Sequence, residues 1–186
     1  MTEPCSATIS LRPAMPKPSA DGGLQARTTG LSESEVLAFC RSELGVTVSH
    51  ERWADLRNTY YLARAGSLAA RPGALPVFLQ LKRRGIPQAV VSNSARTIVD
   101  ANLRALSLHD GAVPSISRND VRMAKPHPEP YLMAAAALGV EARACLVVED
   151  SLAGTRSGVA AGMHVLYWPE AIPAAIPDGS ATCVRS

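Results

Sequence analysis

The sequence predicts an α/β fold, a parallel sheet covered by helices, with a small helical cap as a second part. Between residues 71 and 168, short apolar runs alternate with segments of helical period, which is typical of a parallel sheet with helical crossovers. Two of the apolar runs end directly before polar or charged residues, as expected for strands whose carboxyl ends face a ligand. The 186 residues have room for one Rossmann-like core and a small cap.

Four parts are expected along the chain. Residues 1–29 contain several prolines and a Gly-Gly pair, which favours an irregular segment with one strand-like alternation at residues 7–11. Residues 30–70 have a helical period and form the predicted cap. Residues 71–170 form the predicted α/β core, and the proline-punctuated tail at residues 171–186 is predicted to be irregular.

The cap is predicted to contain two helices. Ser32 and Glu35 have the S-x-x-E spacing of a capping box, and they open a helix that Gly45 ends. A second helix is predicted over residues 51–64, with an apolar side that includes Trp53.

The core is predicted to alternate helices and strands. Its strands are expected at residues 87–91, 112–116, 144–148 and 164–168. Its helices are expected to begin at a proline or at side chains that commonly start helices: Pro72, Asn93 or Ser94, Glu129, and Asp150 or Ser151. Glycine, which favours helix ends, is expected to terminate two of them, at Gly85 and Gly139.

The composition argues against a nucleic-acid partner. Hydrophobic residues make up 47% of the chain and aromatic residues 4%, so alanine, valine and leucine must fill the core. The net charge of +3 arises from scattered charges. The one basic run, Lys82-Arg83-Arg84, is typical of the solvated end of a helix rather than of a nucleic-acid surface.

The chain is expected to work in the cytoplasm, away from membranes. It has no apolar run long enough to cross a bilayer, and its first residues lack the apolar stretch of a signal peptide. The cysteines form no C-x-x-C pair and no metal-binding spacing with histidine, which favours free thiols in a reducing compartment. They are Cys5, Cys40, Cys145 and Cys183.

Three short motifs carry the chemistry of the predicted site. Lys125 opens the run Lys-Pro-His-Pro-Glu-Pro, a loop stiffened by prolines, while Ser92 and Asn93 follow one predicted strand and Glu149 and Asp150 follow another. A lysine ammonium can neutralise phosphoryl oxygens, and paired carboxylates can hold Mg²⁺. The sequence therefore predicts a phosphate site at the carboxyl edge of the sheet.

Each motif also has a purely structural explanation. Ser92 could cap the following helix, Lys125 could be an ordinary surface lysine, and the acids at 149 and 150 could complement a helix dipole. The functional interpretation depends on all three motifs occurring together, each at a predicted strand end or in the adjoining loop.

In this order the motifs resemble those of the haloacid dehalogenase superfamily of phosphohydrolases, in the branch that includes β-phosphoglucomutase and small sugar-phosphate phosphatases. Ser92, in Val-Val-Ser-Asn-Ser, is similar to the second motif of the family, Lys125 to the third, and Glu149-Asp150-Ser151 to the fourth. Residues 154–163 are similar to the helix after the fourth motif. The likeness runs from about residue 30 to residue 170, and within the branch it suggests phosphatases of 6-phosphogluconate or similar sugar phosphates.

The resemblance implies a Mg²⁺-dependent phosphatase whose substrate is a small phosphorylated metabolite, such as a sugar phosphate. By resemblance, Ser92 and the backbone of Asn93 hold the phosphoryl group, Lys125 offsets its charge, and Asp150 and Glu149 bind Mg²⁺. In the family an aspartate attacks phosphorus, and water then hydrolyses the aspartyl-phosphate. A monomer or weak dimer is expected.

The chain departs from the family at the first motif, Asp-x-Asp-Gly, whose first aspartate is the nucleophile. Asp21 is the only aspartate before Gly30, and it follows a proline-rich stretch instead of an apolar strand, so we do not expect it to be the nucleophile. The first cap helix of the family also has no counterpart, so the cap is expected to be truncated. We therefore expect weak Mg²⁺ binding and negligible turnover. Residues 7–11 are the only upstream candidate for the central strand of the sheet.

Three kinds of function stay open from the sequence. The chain could be a sugar-phosphate phosphatase whose first motif is absent from or altered in this sequence. It could be a pseudo-enzyme that binds phosphate or a sugar phosphate without turnover. It could also have lost the ligand site and persist as a structural or interaction partner. A phosphatase assay separates the first from the others, and stabilisation by a ligand separates the second from the third.

Overall fold

The computed structural model describes residues 6–9, 27, 33–168 and 183–184, with side chains described for residue 27 and for residues 35–168. The chain divides into two units, Met15–Leu68 and a second one that joins Met1–Ala14 to Ala69–Ser186. The first unit contains the helices predicted for the cap, and the second contains the sheet. The predicted domain boundaries stay predictions.

The helical unit contains α1, Glu33–Leu44, and α2, His50–Arg64. Leu37 and Cys40 of α1 are buried, whereas α2, which is described throughout, has no fully buried residue. Ser49 caps α2 by accepting a hydrogen bond from the backbone N–H of Arg52 at 3.2 Å. The predicted capping residue of α1, Ser32, lies outside the described residues.

The sheet has six strands in the order β3-β2-β1-β4-β5-β6. The strands are β1 Ser6–Ile9, β2 Gln88–Val91, β3 Ser115–Ile116, β4 Cys145–Glu149, β5 His164–Tyr167 and β6 Cys183–Val184. The first five strands pair in parallel, and β6 pairs antiparallel with β5 at one edge. The predicted parallel sheet is therefore confirmed for β1–β5. The prediction of an irregular tail at residues 171–186 is wrong at Cys183–Val184, which form the antiparallel edge strand β6.

β1 occupies the centre of the sheet. Its Ala7 pairs with Gln88 of β2 on one side and with Leu146 of β4 on the other, both in parallel register. The strand supplies donors and acceptors to two neighbours, which would otherwise have unpaired backbone groups. The prediction that this segment fills the central position is confirmed for residues 6–9, and residues 10–11 lie outside the described part of the chain.

Helices cover both faces of the sheet. Alternate side chains of a strand point to opposite faces, and in β2 Ala89 and Val91 belong to an apolar cluster with Tyr131, whereas Val90 packs in a second cluster with Phe78. The helices of this unit are α3 Ala74–Arg83, α4 Arg96–Ala105, α5 Glu129–Leu138 and α6 Leu152–Ala160. Tyr131 lies in α5 and Phe78 in α3, which gives the three layers of the predicted Rossmann-like α/β fold.

The helix ends predicted at Ser151 and Gly139 are confirmed, and the start predicted at Asn93 or Ser94 is wrong. The helix predicted to start at Pro72 begins at Ala74. Ser151 caps α6 by accepting from the N–H of Gly154 at 3.1 Å, and Gly139 ends α5 in the left-handed conformation, with φ of 66°. α4 is not capped by Asn93 or Ser94. It begins after Ala95, which makes no side-chain capping bond, and the N–H of Arg96 donates to a distant side chain, the amide oxygen of Asn119, at 2.9 Å.

The strand predicted at residues 112–116 is shorter than expected, because β3 contains only Ser115 and Ile116. Gly111 has φ of 73°, which turns the chain, and Pro114 has no N–H to donate to a ladder. Its carbonyl still accepts from the N–H of Val90 at 2.9 Å, so the proline marks where pairing with β2 begins.

The structure bears on two expectations from the composition, the state of the cysteines and the lack of a membrane-spanning segment. Cys40 and Cys145 are buried and lie outside any disulfide, as predicted, while the side chains of Cys5 and Cys183 lie outside the described residues. Among the helices that the structure describes, none combines the length and the apolar character needed to cross a membrane.

Candidate functional site

A buried ion pair joins two of the predicted site residues at the carboxyl edge of the sheet. The Lys125 Nζ contacts the Glu149 Oε1, and the two side chains are 7% and 0% exposed. The same Nζ lies 3.4 Å from the backbone oxygen of Val91, the last residue of β2. The loop that contains the lysine is thereby joined to the ends of β2 and β4, the edge where open α/β sheets bind ligands.

The Glu149 carboxylate is hydrogen-bonded on both oxygens. Oε1 also accepts from the hydroxyl of Tyr131 at 2.6 Å, and Oε2 accepts from the Ser151 hydroxyl at 2.9 Å and its N–H at 3.3 Å. A buried carboxylate is tolerated when it is paired and hydrogen-bonded in this way. Sequence reasoning assigned no role to Tyr131, although it is a tyrosine within an alanine-rich helix.

The pKa values of Glu149 and Tyr131 shift in opposite directions. Burial alone would raise the pKa of Glu149, but the charge of Lys125 and the hydrogen bonds from Lys125, Tyr131 and Ser151 outweigh burial and lower it. Burial raises the pKa of Tyr131 well above its ordinary value, and the negative charge of Glu149 adds to that shift. The structure therefore holds a carboxylate and a neutral phenol side by side.

The lowered pKa of Glu149 predicts a loss of stability in acid. Because the folded pKa lies below the ordinary value of 4.5, the stabilisation is present above about pH 4.5 and is lost as the pH falls through the folded pKa. We expect the free energy of unfolding to fall more steeply below that pH in the wild type than in a Glu149→Gln variant. Urea unfolding curves between pH 7 and pH 3 test this, and parallel pH profiles would contradict it.

The side chain of Asn93 binds the backbone of Lys125. Its amide Nδ2 donates to the Lys125 carbonyl at 2.9 Å, and its Oδ1 accepts from the Lys125 N–H at 3.0 Å. This two-point contact uses the side chain that could have capped α4, which explains why that capping prediction was wrong. The neighbouring Ser92 accepts from the Ser94 N–H at 3.1 Å through its hydroxyl, which can still donate its own hydrogen.

The lysine loop is anchored by its own flanking residues. The Glu129 carboxylate accepts from the N–H groups of Arg122 and Met123 at 3.0 and 2.9 Å. On the other side, the hydroxyl of Ser157 in α6 donates to the carbonyl of His127 at 2.6 Å. The peptide bond between Lys125 and Pro126 is cis. These contacts fix the loop that contains Lys125 to the first residue of α5 and to α6.

Gly154 leaves space for the Glu149 carboxylate. A Cβ added to this glycine would lie 1.9 Å from Cδ and within 2.2 Å of both carboxylate oxygens of Glu149. The first turn of α6 therefore approaches the site as closely as a residue without a side chain permits. The sequence signalled this position only through its similarity to the helix that follows the fourth motif.

The described residues do not make up a complete Mg²⁺ site. Glu149 is fully buried and both its oxygens already accept hydrogen bonds, and Asp150, the next residue, is half-buried. In the part of the chain that the structure describes, no group of three or more His, Cys, Asp or Glu side chains could hold a metal. Mg²⁺ prefers six oxygen ligands in near-octahedral geometry, so most of them would have to come from elsewhere.

The fold is a Rossmann-like α/β sheet with a buried ion pair at its carboxyl edge, and comparison with known proteins identifies the family. The profile of the haloacid dehalogenase-like hydrolases matches residues 31–162. The chain belongs to that family. The resemblance predicted from Ser92, Lys125 and the acids at 149 and 150 is thereby confirmed.

Individual relatives agree with this assignment. The chain is 32% identical to hexitol phosphatase A of Escherichia coli K12 over 152 residues, which cover 76% of this chain and 70% of that protein. It is 31% identical to the putative phosphatase YhcW of Bacillus subtilis 168 over 134 residues, covering 72% of this chain and 61% of that one.

A solved structure agrees in fold. CbbY from Rhodobacter sphaeroides, in complex with xylulose-1,5-bisphosphate, superposes with a TM-score of 0.68 over 89% of this chain and 86% of that one, at 19% identity.

Proposed function

We propose that this chain binds the phosphoryl group of a small phosphorylated metabolite, most simply a sugar phosphate, at the carboxyl edge of its sheet. The observation that carries the proposal is the Lys125 ammonium, buried to 7% exposure and held at the ends of β2 and β4. An ammonium has three N–H donors, and one of them meets Glu149, so the others can donate to an anionic ligand at this edge. The complex of CbbY with a sugar bisphosphate supports this class of ligand.

In the proposed complex, three residues meet the phosphoryl oxygens. The Ser92 hydroxyl and the backbone N–H of Asn93 donate hydrogen bonds to them, and Lys125 offsets their charge. Such binding depends on positioning and charge neutralisation, which fixed donors supply. A cytoplasmic location and a monomeric or weakly dimeric state remain predictions from the sequence.

Binding is tested by ligand-dependent thermal stability. A ligand that binds only the native state raises the temperature of the unfolding midpoint. At a hundred times its dissociation constant it increases the free energy of unfolding by about 2.7 kcal/mol. Inorganic phosphate and a panel of hexose, pentose and sugar-acid phosphates should stabilise the wild type but not a Lys125→Ala variant. Stabilisation of both proteins alike, or of neither, would refute a phosphate site at Lys125 and favour a structural or interaction role.

Turnover by this chain is proposed to be negligible. Hydrolysis through a phospho-enzyme needs a carboxylate nucleophile, which the family carries directly after its first strand. Here the central strand β1 is followed in sequence by Ser10-Leu11-Arg12, and the first aspartate comes only at Asp21. Neither a serine nor an arginine is an adequate substitute for that carboxylate nucleophile.

We expect the purified chain to show no Mg²⁺-dependent phosphatase activity on the sugar-phosphate panel. Grafting a family-type apolar strand that ends in Asp-x-Asp-Gly in place of residues 5–13 should restore hydrolysis, measured as phosphate release. The matched control is the same graft with asparagine in place of its first aspartate, which should stay inactive. Robust turnover by the ungrafted chain, abolished by Lys125→Ala, would show that another nucleophile exists.

Mg²⁺ is proposed to bind weakly, with Asp150 as its main protein ligand, because Glu149 is occupied by Lys125, Tyr131 and Ser151. Calorimetric titration should show weak binding without phosphate and tighter binding with it. Asp150→Ala should reduce binding more than Glu149→Gln does. Tight binding in the absence of phosphate that survives Asp150→Ala would contradict the assignment.

A further inference from the structure

Tyr131 is a buried polar side chain to which the proposed function assigns no role. It lies in the first turn of α5, is 1% exposed, and its hydroxyl lies 2.6 Å from the Glu149 Oε1. A phenol beside a carboxylate is the donor of that hydrogen bond, and bonds to a charged acceptor are among the stronger ones.

Tyr131 and Lys125 share one oxygen atom. The Lys125 Nζ contacts the same Glu149 Oε1 that accepts from the phenol, and it lies 5.6 Å from the centre of the Tyr131 ring. The second oxygen of Glu149 accepts from Ser151 instead. Without the phenol hydroxyl, Lys125 would be the one remaining donor described on Oε1. The Tyr131 ring is packed in an apolar cluster, whose side chains cannot replace the lost donor.

An ammonium has three N–H donors and no acceptor. In Lys125 one of them meets Glu149, and a longer contact of 3.4 Å reaches the carbonyl of Val91. The more strongly the buried carboxylate attracts the ammonium, the less of that charge serves a ligand at the sheet edge. A second donor on the same oxygen weakens that attraction, because the positive end of its O–H dipole offsets part of the carboxylate charge.

We propose that Tyr131 is a positioning residue for Lys125, which shares the Glu149 carboxylate with the lysine and so keeps its ammonium available to an anion. The inference rests on the proposed function only for the identity of that anion, a phosphoryl group. The relation among the three side chains is independent of it.

The test replaces Tyr131 by phenylalanine, which keeps the ring and removes the hydroxyl. Lys17, Lys82 and Lys125 are the only lysines of the chain, so peptide mass spectrometry after brief treatment with an amine-acylating reagent gives the reaction rate of each. We expect Lys125 to react more slowly relative to Lys82 in Tyr131→Phe than in the wild type. The affinity for inorganic phosphate should fall by about 3–10-fold, the effect of one hydrogen bond.

The matched control is Tyr60→Phe, which removes a hydroxyl from a 47%-exposed tyrosine of the helical unit and should change neither measurement. An unchanged or faster Lys125 reaction in a folded Tyr131→Phe protein would overturn the proposal. A fluorinated tyrosine at position 131 is a stronger hydrogen-bond donor of nearly the same shape and should accelerate the acylation of Lys125. It tests the proposal if the phenylalanine variant does not fold. If wild-type protein binds no phosphate, the proposed function fails, while the relative rate still tests the positioning role.

Discussion

Replacing Lys125 by methionine is expected to lower the free energy of unfolding by about 3–5 kcal/mol, the cost of leaving a buried charge without its partner. Methionine keeps most of the length of the side chain, so the loss comes from the Glu149 carboxylate, which is 0% exposed and loses its counter-ion. Urea unfolding at pH 7 measures it. Phosphate binding should be lost in the same variant.

Two features distinguish this explanation from simple loss of packing. The destabilisation should be smaller at pH 5 than at pH 8, because Glu149 without Lys125 can take up a proton in acid. Adding Glu149→Gln to the methionine variant should recover much of the stability, since the amide is neutral and still accepts from Tyr131. A loss that is independent of pH, and that the second substitution does not relieve, would contradict the buried ion pair.

Lys82 is the matched control for the lysine substitution. It also forms an ion pair, with Asp110 at 2.7 Å, but the two side chains are 39% and 47% exposed. Exposed pairs are screened by water and contribute little. Lys82→Met should therefore leave both stability and phosphate binding close to those of the wild type.

Replacing Gly154 by alanine is expected to have the next largest effect. The added methyl would overlap the Glu149 carboxylate, with Cβ 1.9 Å from Cδ. Either α6 moves away or Glu149 leaves its bonds to Lys125 and Tyr131, at a cost of about 3 kcal/mol or somewhat more. This outweighs the gain of about 1 kcal/mol that alanine brings over glycine inside a helix.

Gly66→Ala is the control for that substitution, because a Cβ at Gly66 would meet nothing within 4 Å. Thermal unfolding of the two variants should show a large fall in the midpoint for position 154 and little change for position 66. Phosphate affinity should fall with Gly154→Ala, because the Lys125 ammonium is then no longer held in place at the carboxyl edge of the sheet. Equal midpoints for the two variants would mean that Glu149 can leave this position without cost.

Much of the fold was predictable because the signals are local. The alternation of apolar runs and helical periods predicted the strands at residues 87–91 and 144–148 to within one residue of β2 and β4. Ser151 caps α6 as its position suggested. The alternating pattern at residues 7–11 also identified the central strand, because the fold required one there and no other upstream segment had a strand-like pattern.

The capping prediction for α4 failed for a reason that sequence neighbours do not reveal. Asn93 is a good capping residue, but its amide makes two hydrogen bonds to Lys125, which is 32 positions away. The first N–H of the helix then donates to Asn119, 23 positions away. The Asn93 side chain could bond either to the nearby start of α4 or to a residue distant in sequence. It bonds to the distant Lys125, which only the folded structure brings close to it.

The sequence by itself determined the order of the helices and of strands β1 to β5, and the polar residues at the ends of β2 and β4 or directly after them. It could do so because the period of apolar residues and the strand-end motifs lie within short stretches of chain. Only the tertiary structure decided how the site residues bond to each other. Tyr131 and Lys125, 18 and 24 positions from Glu149, meet on one of its oxygens. The physical reason is burial: a carboxylate excluded from water must take its hydrogen bonds from whichever donors the packed helices and loops bring within reach.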